Sequence, residues 1–263
     1  MLNWVLKYNM MVKHFINTHY RKVVLYMVTK KSINYNDIPE TLDDHIFYGL
    51  KLDEYQKKFR DAIWNPDKIA VICNAKTGSG KSTIAIATAN LLYQYGLYNG
   101  IVYIISPVME QRQGFLPGGE TEKNAPYMQP LVDALLTIGV DPTQAIISDD
   151  NIMSQKRGDS YIKFTADTFL RGVNFEHKIV IIEEAQNFYG DLLKKTLTRI
   201  HDNCKIIIIG HDKQCDLIKN PERSGFVKYL NAFKEANDSR VEICELKKNY
   251  RGWFSTFCDE VVL

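Results

Sequence analysis

A glycine-rich run that ends in lysine, serine and threonine carries the clearest chemistry in this sequence. Residues 74–83 read Asn-Ala-Lys-Thr-Gly-Ser-Gly-Lys-Ser-Thr and follow a β-branched run at 69–73. Glycines let the backbone curl so that its N–H groups point at phosphate oxygens, and a helix that starts at Lys81 adds the positive end of its dipole. The pattern therefore predicts a P-loop that binds a nucleotide. The predicted binding residues are Ala75, Lys76, Thr77, Gly78, Ser79, Gly80, Lys81, Ser82 and Thr83.

Two side chains of this loop have predicted roles of their own. We expect Lys81 to contact the β- and γ-phosphates of ATP, and we expect the Ser82 hydroxyl to coordinate Mg²⁺. Ala75 stands where the usual motif has its first glycine. We expect this departure to have little effect.

Two acidic residues, Glu183 and Glu184, follow the apolar run 179–182. The carboxyl end of a buried parallel strand is where α/β sheets bind their ligands. We assign Glu183 to the Mg²⁺ shell and Glu184 to polarising the attacking water. Because side chains alternate along a strand, we expect the two carboxylates to point in different directions. An acidic cap on a following helix is the structural alternative.

Four further residues are candidates for the same nucleotide. Gln214 follows the apolar run 206–209, and an amide at that place can hydrogen-bond both the γ-phosphate and the water. Arg251 is a candidate arginine finger, and Tyr250 is a candidate for stacking on the base. The Gln56 amide has the geometry to pair with N6 and N7 of adenine. Taken alone, Gln214 and Arg251 are equally compatible with ordinary polar turns.

Short β-branched runs alternate with longer stretches of helical character from residue 37 onward. Such alternation predicts an α/β fold, with a mainly parallel sheet and helices on both of its faces. The predicted strands are 69–73, 101–105, 161–164, 179–182, 206–209 and 241–244, and the predicted helices are 52–64, 82–95, 130–136, 190–200 and 224–236.

Composition excludes several classes of protein. The 263 residues carry a net charge of +2, so bulk charge does not indicate nucleic-acid binding. The five cysteines include no CxxC pair, which argues against zinc-ribbon and thioredoxin-like sites and favours reduced thiols in the cytoplasm. We find neither an apolar run long enough to span a membrane nor a secretory signal.

Residues 1–36 form a basic N-terminal extension with six Lys or Arg and no Asp or Glu. One interpretation is a basic amphipathic helix that touches nucleic acid or an anionic surface. The plainer interpretations are a helix packed on the core and a tail read from an early start codon. We predict a single compact domain at 37–263.

Several runs, taken together and in order, resemble the PhoH-like family, whose members are described as phosphate-starvation-inducible and are often encoded by phages. The resemblance covers roughly residues 52–263, and its most specific part lies at 114–135. The matching residues are Gln113-Gly114-Phe115-Leu116-Pro117-Gly118, Glu122-Lys123, Pro126-Tyr127, Pro130-Leu131, Asp133-Ala134-Leu135, Arg171-Gly172, the Glu-Ala-Gln-Asn run 184–187, Lys194, Leu197-Thr198-Arg199, Gln214, Asp216-Leu217 and Ser224-Gly225.

This resemblance implies a RecA-like ATPase core similar to one half of superfamily 1 helicases. It places the strand before Gln214 between the P-loop strand and the Glu183 strand, so that Lys81, Glu184 and Gln214 surround one γ-phosphate. It also implies that Arg251, within an Asn-Tyr-Arg triplet, contacts that phosphate. Two positions depart from the family, which usually has Asp at the place of Glu183 and a Gly-Asp pair where this chain has Gly210-His211.

The leading functional hypothesis is a Mg²⁺-dependent ATPase that acts on, or is regulated by, RNA or single-stranded DNA in the cytoplasm (the host cytoplasm, if a phage encodes it). Because the sequence stops soon after Arg251, we expect no second RecA-like domain. Either subunits form a ring in which Arg251 completes a neighbour's site, or ATP is hydrolysed without unwinding. Lys194, Lys195 and Arg199 are candidates for backbone contacts, or else form a solvated basic face. A nucleotide-dependent switch or adaptor is the alternative, and a P-loop kinase is a weaker one.

Overall fold

The computed structural model describes residues 38–106, 125–148, 159–170, 172–214 and 223–259. The chain divides into two units, 1–39 and 40–263. The predicted basic extension at 1–36 lies outside the described residues, as does the 114–124 part of the most specific family run. Every helix and strand given below belongs to the second unit.

Strands and helices alternate along this unit, as the sequence predicts. The strands are β1 Ala70–Ala75, β2 Ile101–Ile105, β3 Ile162–Ala166, β4 Ile179–Ile182, β5 Lys205–Gly210 and β6 Val241–Leu246. The helices are α1 Glu54–Trp64, α2 Lys81–Gln94, α3 Gln129–Thr137, α4 Pro142–Ala145, α5 Gly190–Leu197, α6 Phe226–Ala236 and α7 Trp253–Asp259, and short 3₁₀ turns occupy Ala125–Met128, Asp167–Phe169 and Ala185–Asn187.

The six strands form one sheet in the order β3-β2-β4-β5-β1-β6, and every neighbouring pair is parallel. Strand β5 lies between β1 and β4, since Ile208 pairs with Ile72 on one side and with Ile182 on the other. This is the strand order that the RecA-like resemblance implies. The carboxyl ends of β1, β5 and β4 therefore meet at one edge of the sheet, where ligands of α/β proteins bind.

Helices cover both faces of the sheet, which explains why the strands are continuous β-branched runs rather than alternating ones. On one face, Ile72, Ile182 and Ile208 belong to a buried cluster with Leu193 of α5 and Phe226 of α6. On the other face α2 packs against α1 and α3. The α/β architecture predicted from the sequence is confirmed. No helix in the described part of the chain is both long and apolar enough to cross a membrane.

Two helices are shorter than the sequence predicts, because residues next to them form β-bridges with other segments of the chain. Helix α5 ends at Leu197, since Ile200 forms a β-bridge with Phe175. Helix α6 begins at Phe226, since Ser224 forms a bridge. The second of these bridges shapes a surface described below.

Candidate nucleotide site

The P-loop is the turn between β1 and α2, at the carboxyl edge of the sheet. Gly78 and Gly80 both adopt positive φ, at 72° and 80°, a region that favours glycine. A Cβ on Gly78 would lie 2.4 Å from Asn249 Oδ1 and 3.0 Å from Arg251 Cγ. Ala75 is instead a fully buried residue of β1, where an extended backbone accepts a methyl group. The structure thus explains why alanine can stand at position 75, whereas Gly78 leaves no room for a side chain.

The other loop residues are anchored to the elements around them. The Lys76 N–H donates to the Leu246 carbonyl at 2.9 Å, and the Ser79 N–H donates to the Lys76 carbonyl at 3.3 Å. The Ser79 carbonyl accepts from Gln56 Nε2 at 2.9 Å. Thr83 lies in the first turn of α2. The loop is therefore held from α1 on one side and from β6 on the other.

Lys81 lies against both predicted acidic residues. Its Nζ is 2.6 Å from Glu184 Oε1 and 4.0 Å from Glu183 Oε1. The Ser82 Oγ donates to Glu183 Oε1 at 2.9 Å. Our expectation that the two carboxylates point apart is therefore wrong. Strand β4 ends at Ile182, and Glu184 turns into the left-handed region at φ 50°, so strand alternation does not extend to this pair.

The three charged groups set one another's protonation. Burial raises the pKa of Glu183 to about 7, against the attraction of Lys81 and with the repulsion of Glu184. Burial also works to raise the pKa of Glu184, but the charge of Lys81 and hydrogen bonds from Lys81 and Gln186 hold it below its usual value. Burial would lower the pKa of Lys81, yet the two carboxylates raise it. Glu184 is thus the carboxylate that this site keeps ionised.

The residues assigned to Mg²⁺ fit that ion. Glu183 is fully buried, and its Oε2 forms no hydrogen bond of good geometry among the described residues, although the Tyr103 hydroxyl lies close enough to help lower the pKa of the carboxyl. A buried carboxylate oxygen beside the Ser82 hydroxyl offers the oxygen ligands that Mg²⁺ takes together with nucleotide phosphates. The described residues contain no group of three or more His, Cys, Asp or Glu that could hold a metal by themselves. A P-loop site does not require one, because phosphates and water complete the shell.

The segment after β5 reaches both the P-loop and Glu184. Gln214 Oε1 accepts from the Thr77 hydroxyl at 2.7 Å. Gln186 donates its amide to Glu184 Oε2 and accepts from the His211 N–H at 3.0 Å. The sequence analysis placed Gln186 in the family run that follows Glu184 but gave it no contact of its own. The signal in the sequence was an amide two residues after the acid, and its partner His211, which follows β5, is visible only in the folded chain.

Arg251 and Tyr250 follow β6 and lie beside the P-loop of their own chain. The Tyr250 N–H donates to the Gly78 carbonyl at 2.8 Å, and the Arg251 N–H donates to Asn249 Oδ1 at 2.8 Å. The Tyr250 hydroxyl donates to Asp53 Oδ2 at 2.6 Å. The sequence analysis missed Asn249 and Asp53. The signal for Asp53 was its spacing of three residues from Gln56, which is that of a capping box.

Gln56 is buried, and both the oxygen and the nitrogen of its side-chain amide form hydrogen bonds within the chain. Besides its contact with Ser79, its Oε1 accepts from the Asp53 N–H at 3.0 Å in the capping box of α1. Pairing with N6 and N7 of adenine would use this same donor and acceptor. Its contact with adenine stays a prediction, while its place against the P-loop is a finding.

The three basic residues proposed for nucleic acid do not share one environment. Lys195 lies 3.4 Å from Asp191, and Arg199 donates to the Val173 carbonyl at 3.3 Å. Lys194 is exposed and lines a surface cleft. Of the three, Lys194 is therefore the one that lines this cleft.

Comparison with known proteins identifies a family and several relatives to which this chain is similar. The family model for PhoH-like protein matches residues 51–252. Protein PhoH of Escherichia coli K12 is 30% identical over 76% of this chain and 53% of its own length. Protein PhoH2 of Bacillus subtilis is 30% identical over 66% of this chain and 39% of its own. The PhoH-like protein of Mycobacterium tuberculosis H37Rv is 28% identical over 73% of this chain and 51% of its own.

The chain spans about half the length, or less, of these curated relatives. Among solved structures, the Sulfolobus solfataricus SWI2/SNF2 ATPase core domain is similar with a TM-score of 0.42 and 16% identity, over 89% of this chain and 50% of that one. With a family model that matches most of its length, the chain belongs to the PhoH-like protein family and is a P-loop NTPase.

Proposed function

We propose that this domain binds ATP with Mg²⁺ and hydrolyses it, and that hydrolysis is coupled to RNA or single-stranded DNA. The observation that carries the proposal is the cluster in which Lys81, Ser82, Glu183 and Glu184 meet at the carboxyl edge of β1 and β4. Those are the groups needed to bind a triphosphate, a divalent cation and a water molecule at one place.

Each group has a distinct task. The N–H groups of the P-loop and the Lys81 ammonium bind the β- and γ-phosphates. Ser82 and Glu183 supply oxygens to Mg²⁺, which neutralises phosphate charge when it is bound. Lys81 bonds Glu184 at 2.6 Å, and a γ-phosphate would replace that contact with one of its own oxygens.

Glu184 is the group that acts on water. Its carboxylate is ionised beside Lys81 and Gln186, and an ionised carboxylate can accept a proton from water or orient it. Gln186 holds the second carboxylate oxygen, so the first is free to orient the nucleophile once Lys81 turns to phosphate. Gln214, beside Thr77, and Arg251, beside Gly78, approach the same loop and are assigned to the γ-phosphate.

Steady-state hydrolysis of ATP tests this function. Release of phosphate is measured with Mg²⁺, with and without single-stranded RNA or DNA, and Lys81→Ala serves as the blank. We expect turnover that disappears in the blank and rises with nucleic acid. Turnover equal to the blank under every condition would overturn the hydrolytic assignment.

A nucleotide-dependent switch is the second candidate, and the Lys81–Glu184 ion pair favours it. If that pair persists with nucleotide bound, Glu184 cannot act on water and the domain binds ATP without turnover. Tight ATP binding with no hydrolysis would support this reading. Glu183→Asp, which restores the acid usual in the family, is then the first variant to measure.

A further inference from the structure

A basic cleft of about 370 Å³ opens where α5 and α6 begin. Three cations, Lys194, Arg223 and Lys228, line it together with two tyrosines, Tyr189 and Tyr229, and one carboxylate, Asp191. These residues come from separate segments of the chain, so only folding brings the positive charges together. We call this surface the basic cleft.

Two glycines give the basic cleft its shape. A Cβ on Gly225 would lie 3.0 Å from the Cα of Gly190 and 3.0 Å from Leu193 Cδ2, so α5 and α6 can start this close only with glycine there. The Gly225 N–H donates to the Phe188 carbonyl at 2.9 Å, and Tyr189 and Ser224 form an antiparallel bridge. Regular backbone hydrogen bonds therefore hold the floor of the cleft in place.

The charge of the basic cleft is not neutralised within the described residues. None of Lys194, Arg223 and Lys228 forms a salt bridge there. The one carboxylate in the lining, Asp191, lies 3.4 Å from Lys195. A cluster of cations without acidic partners favours an anionic ligand.

The tyrosine at the rim of the basic cleft favours a nucleic acid over an acidic peptide as the anion. Tyr189 keeps 36% of its surface exposed, and the Arg223 guanidinium lies 5.3 Å from its ring centroid. An aromatic ring beside cations is the arrangement on which bases of single strands stack while their phosphates pair with lysine and arginine. A peptide of acidic residues would use the cations but not the ring.

We propose that the basic cleft binds single-stranded nucleic acid, with phosphates on Lys194, Arg223 and Lys228 and a base on Tyr189. This inference rests on the proposed function. It names the surface at which bound nucleic acid influences the nucleotide site. Tyr189 follows Glu184 by one short 3₁₀ turn, Ala185–Asn187. A strand bound at Tyr189 therefore acts on the segment that positions the Glu184 carboxylate.

Binding is tested on the full chain by fluorescence anisotropy, with labelled 20-nucleotide oligo(U) and oligo(dT) and no ATP. The test variant replaces Lys194, Arg223 and Lys228 by Ala. The control variant carries Lys163→Ala and Lys234→Ala, which remove two exposed cations outside the lining. Thermal unfolding of each variant verifies that it folds.

We expect the triple variant to bind at least about tenfold more weakly, and the slope of log K against log salt to fall by about 2, since three phosphate contacts are lost. Tyr189→Ala weakens binding further, by about tenfold, through lost stacking. The control variant stays within about twofold of the wild type. In the ATPase assay, stimulation by oligo(U) is lost in the triple variant.

Three results would overturn the proposal. In the first, the triple and control variants lose affinity equally. In the second, the wild type hydrolyses ATP but binds neither oligonucleotide. In the third, poly-glutamate competes as well as oligo(U) and Tyr189→Ala has no effect, which assigns the cleft to an acidic protein. Because binding is measured without ATP, a failure of the hydrolytic proposal remains distinguishable from a failure of this one.

Discussion

At the scale of single residues, the site depends on how one lysine divides its charge between two acids. Lys81 contacts Glu184 directly and lies further from Glu183, which bonds Ser82 instead. The ionised acid is thus the one next to the lysine, and the buried acid with a raised pKa is the one beside the serine. This division matches one carboxylate to water and the other to the cation.

Glu184→Gln keeps the shape of that side chain and removes its charge. We expect ATP turnover to fall by at least about 100-fold, since a general base is lost. ATP affinity should stay the same or increase, because Lys81 loses the carboxylate that competes with phosphate. Phosphate release and equilibrium nucleotide binding measure the two effects. Glu176→Gln, an exposed acid of the same type, is the matched control, and a Glu184→Gln variant as active as this control would contradict the assignment.

At the scale of elements, the position of β5 between β1 and β4 assembles the site. It brings the segment after β5 against both neighbours, so that Gln214 meets Thr77 and the His211 N–H meets Gln186. The sequence predicted the strands within one or two residues, because buried parallel strands are continuous β-branched runs. It did not predict the partners of Gln186, because they depend on which strands are neighbours.

The contact between the P-loop and the segment after β6 makes a prediction for Gly78. Gly78→Ala meets both a positive φ and the side chain of Asn249, whereas Gly139→Ala meets a similar φ of 74° with open space around it. We expect Gly139→Ala to lower the free energy of unfolding by about 1–2 kcal/mol through backbone strain alone. Gly78→Ala should cost more and should also weaken ATP binding. Urea unfolding and nucleotide titration measure both effects, and equal behaviour of the two variants would rule out the Asn249 contact as a constraint.

At the scale of the whole molecule, two features lie at opposite ends of the parallel strands. Arg251 packs beside Gly78 of its own chain at the nucleotide edge. At the start of β5, the side chain of Lys205 is buried, and its ammonium donates to the carbonyls of Asn65 and Lys68 in the connection between α1 and β1. The position of Arg251 bears on whether the nucleotide site is complete within one chain. The burial of Lys205 bears on the free energy of unfolding.

Mixing two inactive variants distinguishes a site completed within one chain from a ring. If Arg251 acts within its own chain, a mixture of Lys81→Ala and Arg251→Ala proteins should show only the summed activity of the two. In a ring where Arg251 serves a neighbour, an Arg251→Ala subunit would keep its own Lys81 and receive Arg251 from a Lys81→Ala neighbour. Such a site would be intact, and activity would recover. The side-by-side packing of Arg251 and Gly78 leads us to expect no recovery in steady-state ATPase assays.

The buried Lys205 leads us to predict how the free energy of unfolding depends on pH. Burial lowers its pKa from 10.5 to about 8 in the folded chain. Between these values the unfolded chain holds the proton and the folded chain releases it, so this lysine makes the free energy of unfolding rise with pH, by up to about 3 kcal/mol. The Cys73 thiol, whose pKa burial raises, acts in the opposite direction in wild type and variant alike.

Lys205→Met removes that rise and leaves the thiols unchanged. Urea unfolding of both proteins at pH 7.5 and pH 10 measures it. We expect the stability of the wild type relative to the variant to increase across this interval. A difference that is constant with pH would show that Lys205 keeps its ordinary pKa in the folded chain.

The sequence by itself determined the parts of this protein that depend on local spacing. The P-loop follows from glycines whose positive φ no other residue adopts easily, and the α/β class follows from β-branched runs alternating with helices. The tertiary structure alone decided what depends on which segments are neighbours. It placed Gly78 against Asn249, joined Gln186 to the backbone at His211, turned Glu183 and Glu184 toward one lysine, and gathered three cations into the basic cleft. Those contacts join residues far apart in the chain, and no local pattern encodes them.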